Sequence, residues 1–372
     1  MTNAAPLTFH VVFVPGTVRD LRIFMPSLAA WGGGCQIRLV SNGCSPAEDQ
    51  LLQQLVKLSP RFQFCRLPGR KTWGHGPALN YLQRRETGPR FAFLDSDIFA
   101  TGDYLGGLFA RSGAVDALYS CPPLWASNQS AVMPHSFKLA AGEHRQMEDG
   151  FCFGGTYFAI YDNCALSNCM KAYGIDLRRY FWGDIPVAIR ERLSAAGREM
   201  VHYDTSKLVN ILLNLDGHSC RFLTTPDLHH VGGISSVLLS RQRRVFGLIP
   251  RGLSAVLPRI IRRIAAFAGI HDNWRKRVSS DELHCIRAAA SRRQSVCEYV
   301  FQLLQTLDRG ETHEGIAYAS GDADLDAQVH HVETIIRALY PTWRAWLNGR
   351  EPIVATACAA NWQSDVGDAV AA

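Results

Sequence analysis

At 372 residues, 47% of them apolar and 19% charged, the chain can bury a large core and is too apolar to stay disordered. A net charge of +6 without a recognition-module pattern or interleaved stacking aromatics argues against a nucleic-acid partner, and no apolar run is long enough to span a bilayer. Eleven cysteines, an odd number with no C-x-x-C pair, argue against a disulfide framework or a zinc site. The N-terminus has no signal-like pattern either, so the expected setting is a reducing cytoplasm.

In chain order, residues 8 to 15 read as a buried strand that ends in the turn Pro15-Gly16-Thr17. A second strand, Gln36 to Val40, ends in Ser41-Asn42-Gly43, and a helix over Ala47 to Leu58 leads to a third strand at Phe62 to Arg66. After the turn Gly69-Arg70-Lys71, a helix over Pro77 to Arg85 precedes the apolar run Phe91 to Leu94. A polar stretch from Pro122 to Gly150 interrupts the pattern, and Phe151 to Tyr161 resumes it as a strand containing Gly154-Gly155. Tyr180 to Arg192 combines a turn with a helix, and helical patterns cover Asp281 to Leu307 and Asp326 to Leu347. Strands alternating with helices predict an α/β fold with a mainly parallel sheet flanked by helices, plus a helical C-terminal region. The expected division is a catalytic domain over 1–240 and a mainly helical region over 241–372.

The strand Phe91 to Leu94 ends in Asp95-Ser96-Asp97. Two carboxylates at the carboxyl end of a strand lie where open α/β sheets build ligand crevices, and hard oxygen ligands suit a divalent cation. The spacing alone is weak: with 21 aspartates, chance supplies about one such pair. Gly321-Asp322-Ala323-Asp324 repeats it with no strand before it and reads as a solvated loop.

Several further segments occur in a fixed order around this pair. They are Lys71-Thr72-Trp73-Gly74-His75-Gly76-Pro77-Ala78-Leu79-Asn80, then Gly154-Gly155-Thr156, Trp182-Gly183-Asp184 with Arg190, and Leu228-His229-His230-Val231-Gly232-Gly233-Ile234-Ser235. Together they resemble a GT-A fold glycosyltransferase, most closely glycosyltransferase family 2, over about residues 8 to 240. The resemblance implies sugar transfer from a nucleotide donor, UDP-linked by this reading, to an acceptor hydroxyl. A divalent metal, Mn2+ or Mg2+, would be held by Asp97, Asp95 and His230. Which of His229 and His230 turns inward is left open, the spacing to Gly-Gly favouring His230.

By the same resemblance, the donor would meet Pro15, Gly16, Thr17, Asn42, Lys71, Gly74, Asn80, Asp95 and Ser96, with Asn42 offering both a donor and an acceptor to a base edge. The acceptor would lie against Gly154, Gly155, Trp182 and Gly183. Asp184 is the candidate general base for an inverting single displacement; its alternative task is to cap the following helix, and Glu148-Asp149 is the reserve pair. Ten Lys or Arg against one acid between Arg241 and Arg277 form a basic segment suited to peripheral contact with the inner face of a membrane. The acceptor is expected to be a glycan, a lipid-linked glycan or a small molecule, and the basic segment leans towards a membrane-associated one. A nucleotidyltransferase of related fold and a non-catalytic glycan- or nucleotide-binding module are the alternatives.

Overall fold

A computed structural model describes residues 7–126, 145–146, 151–153, 155–200, 202–235, 237–238, 280–311 and 317–354. The expected α/β architecture is present. Strand β1 (Thr8–Phe13) is followed by the short helices α1 (Val18–Leu21) and α2 (Met25–Trp31), joined by a 3-10 turn. Then come β2 (Gln36–Ser41), α3 (Pro46–Leu58), β3 (Phe62–Arg66), α4 (His75–Gln83) and β4 (Arg90–Leu94). The middle of the chain forms β5 (Ile98–Ala100), α5 (Tyr104–Ser112), β6 (Ala117–Ser120), β7 (Arg145–Gln146), β8 (Cys152–Phe153), β9 (Phe158–Asp162) and α6 (Asn163–Tyr173). After these lie β10 (Tyr180–Phe181), α7 (Val187–Ala195), β11 (His202–Tyr203), α8 (Lys207–Leu215), β12 (Cys220–Phe222) and β13 (Leu228–His230). Two long helices, α9 (Ser280–Arg309) and α10 (Ala323–Leu347), complete the described chain.

The main sheet has seven strands in the order β12-β6-β9-β4-β1-β2-β3. All neighbours run parallel except β9, which is antiparallel to both β4 and β6. From β1 the chain first builds outward through β2 and β3, then returns to add β4 on the other side. The strand order therefore reverses between β1 and β4, and a crevice opens at their carboxyl ends. Asp95 begins at that point.

Alternating side chains of β4 divide the core. Phe91 and Phe93 join Leu79, Tyr161, Leu208 and Ile211 on one face, while Ala92 and Leu94 join Phe9, Leu28, Tyr104 and Phe158 on the other. Burial on both faces explains why these strands read as apolar runs instead of alternating patterns. The C-terminal helices extend the second layer: Val296, Leu303, Val329, Ile336 and Trp343 belong to the same core as Phe24 and Phe99. Trp343 packs edge-on against Phe24 (centroids 5.7 Å apart) and Phe99 (5.3 Å).

Two local expectations need revision. Asp322 is no loose loop residue: its carboxylate accepts from the Leu325 amide and caps α10, with Asp324 and Asp326 in the first turn, where helix-dipole attraction favours acids. The strand expected over Phe151 to Tyr161 is two pieces, β8 and β9, because β8 pairs with β7 outside the main sheet. Gly154, Glu148, Asp149 and the basic segment 241–277 lie outside the described residues.

Candidate metal and donor site

The chain just after β4 turns tightly. The Asp95 amide donates to the Tyr157 carbonyl (2.8 Å) beside β9, and the Ile98 amide to the Asp95 carbonyl (3.3 Å). The next three residues, β5, pair antiparallel with β13, in a register that sets His230 opposite Ile98 and His229 opposite Phe99. Successive side chains of a strand point to opposite sides, so this two-stranded ribbon decides which histidine meets the aspartates. His230 faces them. His229 stacks on Phe99 (centroids 5.0 Å apart) and bonds the Thr101 hydroxyl (3.2 Å).

The His230 Nε2 lies 3.3 Å from Asp97 Oδ1 and 3.8 Å from Asp95 Oδ2, and one ligand atom from each of the three residues falls within 4.8 Å of the others. Nδ1–H of His230 donates to the Cys121 carbonyl (3.1 Å), which leaves the lone pair of a neutral ring on Nε2. That nitrogen is buried and makes no hydrogen bond among the described residues. Cys121 holds a left-handed backbone (φ 70°), a strained state for a residue with a side chain, and its carbonyl orients the ring. The second oxygen of Asp97, Oδ2, accepts from the Gly233 (2.7 Å) and Ile234 (2.9 Å) amides. Oδ1 is left towards His230.

Electrostatics mark the same atoms. Burial above all, then the Asp97 and Asp204 charges, push the Asp95 carboxyl up to about 6, against the pull of His75 and His230. Burial also works upward on Asp97, but His230 and the two amides outweigh it and hold that carboxyl below its ordinary value. Burial works downward on His230, yet Asp97 and Asp95 outweigh it and hold the imidazole above its ordinary value. An unpartnered buried nitrogen beside two carboxylate oxygens is a donor set that a divalent cation fits.

The rim adds residues to which the sequence assigned no role. His75, at the start of α4, sets Nε2 3.9 Å from Asp95 Oδ1 and its ring edge-on to Phe93. The Tyr157 ring covers His230 (centroids 4.7 Å apart). Asp204, exposed just after β11, is near enough to contribute to the Asp95 shift. The pairing of β10 with β11 brings Asp204 in from a distant segment, so no local sequence signal marks it.

The expected site residues distribute unevenly. Ser96 is buried with its hydroxyl 3.5 Å from that of Ser235. Pro15, Gly16 and Thr17 form the turn after β1 as expected, but the Gly16 amide is taken by Glu48 (2.6 Å) and the Thr17 hydroxyl by the Val14 carbonyl (2.7 Å). Asn42 departs most from expectation. Its amide donates to the Trp73 carbonyl (2.9 Å) and accepts from the Trp73 amide (2.8 Å), so both groups meant for a base edge are spent on the main chain. Gly43 allows that approach: its φ is +75°, and an added Cβ would lie 2.9 Å from the Thr72 nitrogen.

Asn80 is likewise structural, accepting from the Leu177 amide (2.9 Å). Lys71 is exposed, and Gly74 is the N-cap of α4. A cavity of about 630 Å³ opens near the ends of β2 and β3, lined by Gly43, Cys44, Pro46, Arg66, Gly69 and Arg70. On the acceptor side, Gly155 is buried against the Tyr157 ring, where a side chain would collide. Trp182, Gly183 and Asp184 form a 3-10 turn; Asp184 is exposed and accepts from the Phe181 amide (3.3 Å). The cap alternative for Asp184 fails, since Pro186 occupies the N-cap of α7 and Asp184 closes its own turn instead.

No protein-family model and no curated protein matches the chain. Among solved structures it is similar to S. aureus TarS 1-349, at 14% identity over 89% of this chain and 92% of that one, with a TM-score of 0.37. The glycosyltransferase GlyE of Streptococcus pneumoniae TIGR4 is 13% identical over 59% of this chain, with a TM-score of 0.34; the match spans 45% of GlyE, under half its length. LgtC, described as a galactosyltransferase, is 12% identical over 45% of this chain and 65% of its own, with a TM-score of 0.31. Superpositions at this level fix neither family nor activity.

Proposed function

We propose that the chain is a metal-dependent glycosyltransferase of the GT-A type that moves a hexosyl or N-acetylhexosaminyl group from a UDP-linked donor to an acceptor hydroxyl. One observation carries the reading: Asp95, Asp97 and His230 converge, with an unpartnered buried Nε2, at the strand ends where the sheet order reverses. Asp97 Oδ1, Asp95 Oδ2 and His230 Nε2 would hold Mn2+ or Mg2+. Such an ion supplies Lewis-acid stabilisation of the charge that grows on the leaving diphosphate.

The chain's own groups do the rest. Cys121 fixes the His230 tautomer, and the Gly233 and Ile234 amides keep Asp97 ionised and oriented. Pro15, Gly16, Thr17, Lys71, Gly74 and Ser96 border the donor, with Asn42 and Asn80 holding loops in place. Gly154, Gly155, Trp182 and Gly183 border the acceptor, and Asp184 takes the proton of the attacking hydroxyl. A single base suits one displacement with inversion. Residues 1–240 carry the catalytic machinery in this reading, and the basic segment 241–277 makes peripheral contact with the inner face of the membrane on behalf of a cytoplasmic enzyme.

A donor screen by thermal unfolding tests it. With Mn2+ present, a UDP-sugar should raise the unfolding midpoint beyond the effect of Mn2+ alone, because a ligand of the folded state stabilises that state. No shift with any nucleotide-sugar donor would contradict the reading.

A further inference from the structure

The turn that holds Asp97 is itself held by the C-terminal helix α9. The Cys297 thiol donates to the Gly232 carbonyl (3.3 Å), as does the indole N–H of the buried Trp125. One helical turn before Cys297, the Arg293 side chain crosses Gly233. A Cβ added there would lie 3.2 Å from Arg293 Cδ, and Gly233 is the residue whose amide holds Asp97 Oδ2. The guanidinium lies over the Trp125 ring, 6.0 Å from its centroid. Its charge also reaches Tyr157, the ring packed on His230. The neighbouring Arg292 faces Asp322 (3.8 Å), whereas Arg293 has no carboxylate within ion-pair distance among the described residues.

A half-buried guanidinium with no anionic partner, set beside a turn that grips a metal-binding carboxylate, is arranged for an anion that arrives from solution. We propose that Arg293 binds the diphosphate of the nucleotide donor, so that the C-terminal helix completes the donor site. The inference rests on the donor reading above and adds to it a residue far outside its motifs. Its logic is one of charge. A diphosphate beside two carboxylates remains negative even with a divalent ion, and a planar guanidinium bonds phosphate oxygens in pairs. The Trp125 ring lies within cation–π reach of the guanidinium, and Gly233 leaves room for the stem.

UDP and UMP serve as probes, titrated calorimetrically into the full chain with Mn2+. In Arg293→Gln, UDP affinity should fall about 10- to 100-fold and UMP affinity less than about 3-fold, because only UDP carries the second phosphate. Arg293→Lys, which keeps a charge on a flexible stem, should retain part of the UDP preference and controls for loss of packing. An unchanged UDP-over-UMP preference in Arg293→Gln overturns the inference alone. Absence of Mn2+-dependent UDP binding by the wild-type chain overturns it together with the donor reading.

Discussion

Replacing Asp97 by alanine and by asparagine separates its two tasks. The Gly233 and Ile234 amides donate to one carboxylate oxygen at 2.7 and 2.9 Å, and the side chain is only 4% exposed. Asp97→Ala leaves both amides without a partner. At about 1.5–3 kcal/mol for each bond to a charged group, the loss is bounded at about 3–6 kcal/mol, less whatever entering water restores. Asp97→Asn keeps an oxygen for the amides and turns an NH2 towards His230 Nε2, the unpartnered acceptor 3.3 Å from Asp97 Oδ1. The asparagine variant should therefore unfold within about 1 kcal/mol of wild type in the absence of metal. It should nonetheless lose the stabilisation by Mn2+, which for wild type at a hundredfold excess over Kd is about 2.7 kcal/mol. Urea unfolding of the three proteins with and without Mn2+ reads both quantities. Full Mn2+ stabilisation of Asp97→Asn, or wild-type stability of Asp97→Ala, would refute the reasoning.

Three further outcomes follow from the same geometry. Burial, with His331 adding, pushes His229 down to about 3, so its folded pKa lies below the unfolded value. Its contribution is present above about pH 6.5 and is lost as pH falls towards the folded pKa, at up to about 1.4 kcal/mol per pH unit; His229→Phe should flatten the acid limb of the stability profile, and an unchanged limb would count against it. Trp343→Ala should cost about 3–5 kcal/mol in chemical denaturation because the ring is buried between Phe24 and Phe99, and a loss under about 1 kcal/mol would show that the C-terminal helices are not part of the core. Asp184→Asn should lower kcat about 100-fold or more with donor affinity unchanged, whereas Asp204→Asn should leave most of kcat; the reverse order would transfer the base role to Asp204.

Five of the seven strands were legible, most plainly β4, buried on both faces and so a continuous apolar run; the edge strand β3 also falls on the span read from Phe62 to Arg66, whereas the short β6 and β12 were not read. The aspartate pair was legible because its strand precedes it. Helices α6 and α8 escaped notice: α8, KLVNILLNL, is nearly all buried, and an apolar stretch of that length does not distinguish helix from strand. Asp204 and Arg293 were invisible for another reason, since their proximity to the site depends on contacts between segments far apart in sequence; His75 stood within a recognised segment but received no role there. Asn42 failed in an instructive way. An amide suits a base edge and a backbone peptide equally, and only the approach of Trp73, permitted by Gly43, decides between them.

The central claim is sugar transfer at the Asp95–Asp97–His230 cluster, and product analysis addresses it most directly. The wild-type chain and Asp97→Asn are incubated with a panel of UDP-sugars, acceptor pools and Mn2+, and the nucleotide products are separated by chromatography. Release of UDP by wild type with at least one donor, abolished by a chelator and absent in Asp97→Asn, is the expected result. Pyrophosphate release from a nucleoside triphosphate and a sugar phosphate, with no UDP from any donor, would contradict the account.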